Sequence, residues 1–374
     1  MNSAEVSSTP TLQVRKGVCY ALYAYDVGAS IDLDRCRNLI AAGLQDSTIH
    51  HNRRAPKYFD YRPAPLLVTQ DVAAPAVGPW AVTRGVDLLM YDFGAVSVGY
   101  RIPFSGSLET LREISCALNE DAALDADSLR RATDLLTAVQ AAVAKPRVAD
   151  LMEDYAVFQV EDYTADVETD RLHEVYADEL AQVLRAERSA LSSQEVADAL
   201  ACRLAFGRDD MTLIDWNAAV VFDRDADDVR AVLEFANVEL LEMRFLDRQL
   251  DDGLDRSYEA IARDSWMRSF MPGKAGTGLR QVSQMQVDGA ILFERVTNAP
   301  KLLGDQYLAR VYRLTSQRFH LPEWNATALR KLEAIAGIYE QMQDRAASRR
   351  LEILEWIIIL LIAFEIVWPF VQHP

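Results

Sequence analysis

Alternating apolar and polar positions in the first 224 residues predict an α/β domain with a mixed sheet. The run from Val14 to Tyr25 is rich in β-branched and aromatic residues, which is typical of a buried strand. Two further apolar runs flank Asp92, Phe93 and Gly94, and this arrangement predicts a β-hairpin. Ser192 begins a capping-box pattern that predicts the start of a helix. The other predicted elements are strands at 65–70, 155–160 and 211–222 and helices at 31–43, 107–119, 128–144 and 169–187.

From Asp225 onward the pattern has helical spacing and no convincing strand. It predicts one helix over 228–252, a second over 254–270 and a third from Leu279. The glycine-rich segment 271–278 between the last two is predicted to be an interhelical hinge. The front half is therefore expected to lead into a helical back half.

The last fifty residues combine an amphipathic helix with an apolar run. The helix begins near Asn325 and has coiled-coil-like spacing, and the run extends from Ile353 to Val371. Nineteen helical residues span about 28 Å, close to the ~30 Å hydrocarbon core of a bilayer. The run therefore predicts a transmembrane helix. A buried core helix is the alternative, because Glu355 and Glu365 interrupt the run.

The residues around this run predict the orientation of the anchor. Basic residues precede it, which by the positive-inside rule places the bulk of the chain in the cytoplasm, as a single-pass protein of the inner (cytoplasmic) membrane. The tryptophans stand near its two ends, where interfacial rings are favoured. Glu365 lies deeper and is either a sign of self-association or a tolerated polar residue. The predicted anchor residues are Arg349, Arg350, Glu355, Trp356, Glu365 and Trp368.

Together these patterns predict an α+β fold class: an N-terminal α/β domain, then a helical region ending in a long helix that continues into one transmembrane helix. The predicted segments are a disordered N-terminus at 1–12, the α/β domain at 13–224, a helical domain at 225–322, a coiled-coil-like helix at 323–352 and the transmembrane helix at 353–371.

Charge and cysteine usage disfavour several classes of protein. The formal net charge is −17, with 56 acidic against 39 basic residues, which disfavours direct nucleic-acid binding. The basic spots at 50–57 and 145–148 are interpreted as solvated loops. Four scattered cysteines without C-x-x-C spacing predict reduced core residues. Abundant Ala, Asp and Arg indicate a bacterial protein.

No stretch of the sequence carries a recognisable catalytic or cofactor motif. The segment 272–278 has its lysine in the wrong order for a phosphate-binding loop, and neither G-x-S-x-G nor H-E-x-x-H occurs. The acidic run 223–228 lacks the glycine and glutamate of a calcium loop, and an acidic first helical turn accounts for it. We therefore predict no catalytic residues, cofactor or metal, and an enzyme is the less favoured class.

Three stretches resemble the family of proteins required for meiotic nuclear division, of the Rmd/Sif type. They are the turn at 91–96, with Phe93 and Gly94, the helix at 228–248 and the segment 349–366. The segment 302–308 departs from the family pattern, which puts a shared partner in doubt. The resemblance implies a single-pass, oligomeric inner-membrane protein without catalytic residues, whose mitochondrial relatives tether ribosomes.

Two functional hypotheses follow. The first is a non-catalytic membrane-anchored scaffold that presents a cytoplasmic domain to a protein assembly, with the bilayer, further copies of the chain and ribosome-associated proteins as partners. The second is an enzyme or small-molecule-binding domain in the α/β half, with a pocket formed by Arg208, Asp209, Asp210 and Asp215.

Overall fold

The structure is a computed structural model that describes residues 12–43, 49–50, 63–120, 122–267, 287 and 305–372. Four sequence-based predictions fall wholly or largely outside these residues: the disordered N-terminus at 1–12, the hinge at 271–278, the helix from Leu279 and the basic spot at 50–57.

A large mixed sheet forms the centre of the N-terminal part. Its strand order is β3-β4-β5-β6-β1-β8-β11-β10-β9. All neighbouring strands are antiparallel except β8 and β11, which are parallel. A small separate sheet pairs β2 with β7. The strands are β1 Gln13–Asp26, β2 Ser30–Ile31, β3 Ile49–His50, β4 Leu66–Gln70, β5 Val86–Met90, β6 Ala95–Ser107, β7 Val143–Ala144, β8 Met152–Thr164, β9 Arg203–Leu204, β10 Met211–Ile214 and β11 Ala218–Phe222.

Helices pack on both faces of the large sheet. The α-helices in the described part of the chain are α1 Leu33–Gly43, α2 Leu108–Glu120, α3 Ala123–Val139, α4 Leu172–Val175, α5 Ala177–Arg185, α6 Ser193–Ala199, α7 Asp227–Met267, α8 Gln306–Arg318 and α9 Leu321–Gln372. The main apolar core lies on the side of α1 to α6 and includes Cys19, Ala21 and Tyr23 of β1. Side chains alternate along a strand, so Tyr20 points to the other face, where Arg230 of α7 stacks 4.1 Å from its ring centre.

The fold differs from the sequence-based prediction at three places. The predicted strand 211–222 is the hairpin β10–β11, because Asp215 and its neighbours form a turn. The predicted helix 169–187 is broken at Tyr176, where α4 ends and α5 begins. The two helices predicted from Asp228 are the single helix α7, which continues through Gly253.

The chain divides into two compact units. The first consists of Met1–Phe245 and Glu294–Trp324 and contains the sheet. The second consists of Leu246–Phe293 and Asn325–Pro374. The core of the second unit is small and comprises Leu246, Leu250, Ala328 and Ile335.

The prediction of a transmembrane anchor is wrong. Among the residues that the structure describes, no helix combines the length and apolar content that crossing a bilayer requires. Glu355 and Glu365 leave nine consecutive apolar residues between them, about 14 Å of helix, roughly half of a ~30 Å hydrocarbon core. The predicted fold class is corrected to a mixed α/β fold with a large sheet and helices. The predicted single-pass membrane localisation depended on this anchor and is wrong as well.

Candidate functional site

A polar cleft lies in the first unit between the start of α2 and the segment that joins α4 to α5. Its volume is about 270 Å³. Apolar contacts come from Leu12 and Leu108, and polar groups form most of the remaining wall. The lining residues are Leu12, Ser107, Leu108, Glu109, Arg112, Tyr176, Glu179 and Gln182.

The end of β6 leads directly into α2, whose N-terminus lies at the cleft. Gly106 has φ +137°, and a Cβ atom at this position would lie 2.4 Å from Oγ1 of Thr110. The chain can therefore leave β6 and enter α2 this tightly only with glycine here. Buried Leu108 holds the first turn on the core. The first residues of α2, Leu108 and Glu109, are thereby held at the cleft.

Tyr176 lies in the opposite wall. The residue is 3% exposed, and its hydroxyl oxygen is buried. Its backbone is held by helix-like bonds, from its N–H to the oxygen of Leu172 and from the N–H of Leu180 to its own oxygen. Burial raises the pKa of Tyr176, the nearby carboxylates of Asp166 and Glu179 raise it further, and a hydrogen bond from the backbone of Asp166 opposes the rise.

Arg112 is the one cationic side chain among the lining residues. Its guanidinium donates to Oε1 of Gln182 at 3.4 Å and to Glu109 at 3.2 Å, while its Nε has no partner among the described residues. Gln182 is fixed in turn, because its amide nitrogen donates to the backbone oxygen of Ser189 at 2.8 Å. The guanidinium group is therefore held in one position, although its hydrogen bonds to Gln182 and Glu109 are long.

Two carboxylates, those of Glu109 and Glu179, stand at the exposed rim of the cleft. The lining therefore combines one guanidinium group, one amide group and two exposed carboxylates, which suits binding of a polar molecule. Within the described part of the chain, no group of three or more His, Cys, Asp or Glu side chains could hold a metal ion. The four cysteines are free; Cys19, Cys36 and Cys116 are buried and Cys202 is half-buried.

The residues predicted as a membrane anchor all lie in α9. Glu355 and Trp356 are exposed. The side chains of Arg349, Arg350, Glu365 and Trp368 lie outside the side chains that the structure describes.

Phe93 and Gly94 occupy the turn between β5 and β6. Phe93 is fully buried and its ring stacks on Tyr91 with 5.2 Å between centres. Gly94 has φ +111°, and its oxygen accepts the N–H of Val27 at 2.8 Å. Both residues have structural roles in joining the hairpin to the segment after β1.

The pocket predicted from Arg208, Asp209, Asp210 and Asp215 is not assembled as a ligand site. Asp215 is fully buried, and Arg185 and Arg318 each approach its carboxylate at 2.6 Å. Asp210 accepts the N–H of Phe206 at 2.8 Å and so stabilises a loop. Arg208 and Asp209 are exposed.

Sequence reasoning missed every polar residue of the cleft. Arg112 and Gln182 are 70 positions apart and belong to no motif. Ser107 was identified only as the start of a helix, and Tyr176 lay inside a predicted continuous helix. A tyrosine in the middle of a broken helix is a weak signal, because aromatic residues in helices usually pack in a core.

Comparisons with known proteins place the chain outside the Rmd/Sif family. Residues 16–228 match the family model described as "Uncharacterized protein MJ0711, N-terminal domain". The uncharacterized protein MJ0711 of Methanocaldococcus jannaschii is 22% identical over 192 residues, which are 50% of this chain and 58% of the relative's length. No solved structure matches. The resemblance to proteins required for meiotic nuclear division is therefore wrong, and an archaeal relative replaces the expected bacterial one. The match covers more than half of the chain, which belongs to the family of the MJ0711 N-terminal domain.

Proposed function

We propose that the first unit is a small-molecule-binding domain and that the cleft between α2 and α5 is its binding site. The observation that carries this proposal is a cleft of about 270 Å³ whose lining includes the polar side chains of Arg112 and Gln182. The two side chains are joined by a 3.4 Å hydrogen bond, and Gln182 is also fixed by the backbone oxygen of Ser189 at 2.8 Å. A few convergent polar groups in a concave surface are typical of a ligand site.

The size and lining of the cleft agree with this function. Ligand pockets usually have volumes of roughly 300–1,000 Å³, so a cleft of about 270 Å³ suits a ligand at the small end of the range. Its polar side chains are also held in place by other contacts, as Gln182 shows. Such preorganisation lowers the cost of ordering side chains on binding.

A thermal-shift and NMR screen of the full chain against a panel of small polar metabolites tests the proposal. We expect at least one compound to raise the melting temperature and to shift resonances of Tyr176 and Arg112. Glu109→Trp, which places a large ring at the mouth of the cleft, should abolish this binding. Asp134→Trp, on an exposed part of α3, is the matched control and should keep it. Equal binding by both variants, or no binding by the wild type, would contradict the proposal.

A protein scaffold is a second candidate function, and the exposed apolar part of α9 supports it. Side chains from Trp356 to Ile362 are between 47% and 65% exposed, and Phe364 is 59% exposed. Contiguous exposed apolar surface is typical of interaction sites. The partner would be a further copy of this chain or another protein with a complementary apolar surface.

A pull-down of the full chain at about 150 mM salt (Debye length ~8 Å), with co-purifying proteins quantified, tests the scaffold function. Recovery of a partner at constant ratio, lost in the double variant Ile358→Gln/Leu361→Gln, would support it. Size measurement of the same sample detects self-association. Recovery of monomeric chain alone would remove this candidate.

A further inference from the structure

Asp26 at the end of β1 and Glu242 on α7 form a buried carboxyl pair. Asp26 is 3% exposed and Glu242 is 0% exposed. Ala24 lies on the same face of the sheet as Asp26, because side chains alternate along a strand, and its cross-strand neighbour is Glu153. The backbone oxygen of Glu153 accepts a hydrogen bond from Asn237 of α7 at 3.2 Å, so α7 covers this end of the sheet. The charge of Asp26 acts directly on Glu242, which shows that the two carboxyl groups are near each other.

Three oxygen atoms of the buried carboxyl pair have no hydrogen-bond partner among the described residues. They are Oδ1 of Asp26 and both carboxyl oxygens of Glu242. A buried carboxylate without donors is far more costly than the neutral acid, because the charged form loses much stronger hydration. Burial accordingly raises the pKa of Asp26 to about 7 and the pKa of Glu242 well above its ordinary value. At mildly acidic pH both groups are therefore protonated in the folded protein.

Most of the charged groups around the buried carboxyl pair are bound to other partners. The titratable and charged groups of the surrounding elements are Arg147 in the segment before β8, Glu153 and Asp154 of β8, Glu234, Glu239 and Arg244 of α7, and Tyr312 of α8. Arg244 forms an ion pair with Glu153, and Tyr312 donates to Glu239 at 2.7 Å. Glu234 accepts a hydrogen bond from Ser97 at 2.6 Å, and Asp154 lies on the other face of the sheet. Of the two cations, Arg147 is therefore the one that the pair can recruit.

Arg147 lies beside the buried carboxyl pair without bonding its three unpartnered oxygens. Its guanidinium stacks on Phe245, with 4.8 Å from Cζ to the ring centre, and its charge opposes the rise in the pKa of Asp26. Phe245 follows Glu242 by three positions, so both lie on the same side of α7. The nearby backbone is fixed, since the N–H of Ala149 donates to the oxygen of Asp26 at 2.9 Å, whereas Arg147 itself is exposed. Its long side chain can therefore turn between the ring and the pair while the backbone stays in place.

We propose that the buried carboxyl pair and Arg147 form a pH-operated switch: as the pH rises through neutrality, the arginine leaves the ring of Phe245 and binds the carboxylate of Asp26. In the acidic form both carboxyl groups hold their protons and Arg147 covers the ring. Asp26 then releases its proton to solvent, and its carboxylate attracts the guanidinium more strongly than an exposed aromatic ring does. Glu242 keeps its proton and donates a hydrogen bond to the new carboxylate. The exchange uncovers the outer side of Phe245.

An NMR titration of the full chain, with isotope-labelled aspartate and arginine, tests the switch. We expect the side-chain carboxyl signal of Asp26, assigned by its absence in Asp26→Asn, to titrate with a midpoint of about 7. The side-chain signals of Arg147 should carry a ring-current shift from Phe245 at acidic pH and lose it with the same midpoint. A carboxyl signal that titrates near the ordinary value of about 4, or an arginine that stays on the ring at every pH, would overturn the proposal.

Two variants should move this midpoint in opposite directions. Arg147→Gln removes the cation that stabilises the Asp26 carboxylate and should raise the midpoint by about one pH unit, a tenfold gain in proton affinity. Arg147→Lys, which keeps the charge, should restore most of the difference. Phe245→Leu removes the competing ring and should lower the midpoint, because the arginine is then free to bind the carboxylate. Arg171→Gln, at an exposed arginine that pairs with Glu174, is the control and should leave the midpoint unchanged.

The Arg147 variants change an exposed side chain, so the test does not depend on whether Asp26→Asn folds. An unchanged midpoint in Arg147→Gln would show that the arginine does not bind the carboxylate of Asp26. Shifts of the midpoint in the same direction in Arg147→Gln and Phe245→Leu would show that the ring and the carboxylate do not compete for it. Either result would overturn the switch.

Discussion

The side chain of Glu242 on α7 is a buried carboxyl group whose loss of hydration is not balanced by hydrogen bonds from the described residues. It is fully buried, and neither of its oxygens has a hydrogen-bond partner among the described residues. Burial raises the pKa of Glu242 well above its ordinary value, and the nearby Asp26 raises it further. On the same helix, burial raises the pKa of Glu239 to about 8 despite a 2.7 Å hydrogen bond from Tyr312. On β8, burial raises the pKa of Glu153 to about 7, although Arg244 opposes the rise.

The first prediction is that the free energy of unfolding falls as the pH rises from about 5 to 8. The folded pKa values of Glu239, Glu242 and Glu153 lie above the unfolded values, so the folded state binds more protons in this window and loses stability as they dissociate. One pKa unit corresponds to about 1.4 kcal/mol, so the fall should reach a few kcal/mol. The lowered pKa of Asp198 acts in the opposite direction, but below about pH 4.

Glu242→Gln isolates one contributor to this fall. Because the amide cannot ionise, the variant should be about 1–3 kcal/mol more stable than the wild type at pH 8 and show a flatter pH profile in urea denaturation. The control is Glu174→Gln, which replaces an exposed glutamate. An unchanged pH profile in Glu242→Gln would show that this carboxyl group is not buried in the protonated form.

The second prediction compares two aspartates that share the same arginines. Asp215 is fully buried between Arg185 and Arg318, whereas the side chain of Asp198, which contacts both arginines, is 53% exposed. Removing a buried charge partner typically costs roughly 3–5 kcal/mol, but an exposed pair contributes at most about 1 kcal/mol. Asp215→Asn should therefore lower the unfolding free energy several times more than Asp198→Asn. Equal losses in urea denaturation would mean that the Asp215 pair is solvated.

At the scale of elements, tight turns determine where the strands and helices of the first unit end. The β5–β6 turn brings the backbone of Gly94 against the segment after β1. A Cβ atom at Gly94 would lie 1.8 Å from the oxygen of Gly28, in addition to the positive φ. The end of β6 is also closely packed, because a Cβ atom at Gly106 would lie 2.4 Å from Oγ1 of Thr110. The helix α2 follows directly and begins at the cleft.

The third prediction contrasts this turn with a glycine inside a helix. Gly94→Ala should destabilise the protein by more than about 3 kcal/mol, because backbone must move and the φ is unfavourable. Gly337→Ala should stabilise it by about 0.5–1 kcal/mol, because alanine favours a helix and nothing lies within 4 Å of the added methyl group. Thermal denaturation measures both. A stable Gly94→Ala protein would contradict the close approach in this turn.

At the scale of the whole molecule, the two compact units differ in how much apolar surface stabilises them. The first has an extensive core under a sheet, while the described core of the second consists of a few residues. Lys331 supplements the second core through ion pairs with Asp247 at 2.6 Å and Asp251 at 2.7 Å. Such partly exposed pairs contribute little, so packing must supply most of the stability.

The fourth prediction is that the second unit opens more easily than the first. Backbone amides of 246–256 and 325–341 should exchange hydrogen faster than those in the centres of β1 and β8, because local stability follows local packing. Ile335→Ala should accelerate exchange in the second unit by the equivalent of roughly 2–4 kcal/mol and leave β1 unchanged. Slower exchange in the second unit than in the sheet of the wild type would contradict the prediction.

Several elements could be predicted because their signals are local. The alternation of Val96, Val98 and Tyr100 indicated β6, and Ser192 does cap α6, since its Oγ accepts the N–H of Glu195 at 3.2 Å. The turn at Asp215 could not be predicted, because no glycine or proline marks it and its carboxylate partners Arg185 and Arg318 are distant in sequence. The apolar run in α9 led to the wrong prediction of a transmembrane helix, because its length was counted across Glu355 and Glu365. Only nine consecutive apolar residues lie between these two glutamates.

The sequence by itself determined the order and type of most elements, the acidic charge and the division into a strand-rich front and a helical back. These depend on side-chain periodicity and composition, which are properties of short segments. Only the tertiary structure decided the strand order of the sheet, the buried acidic residues on α7 and the cleft. The reason is that each of these depends on contacts between segments far apart in the chain, as when Arg112 on α2 meets Gln182 on α5, and no local pattern encodes which distant groups will meet.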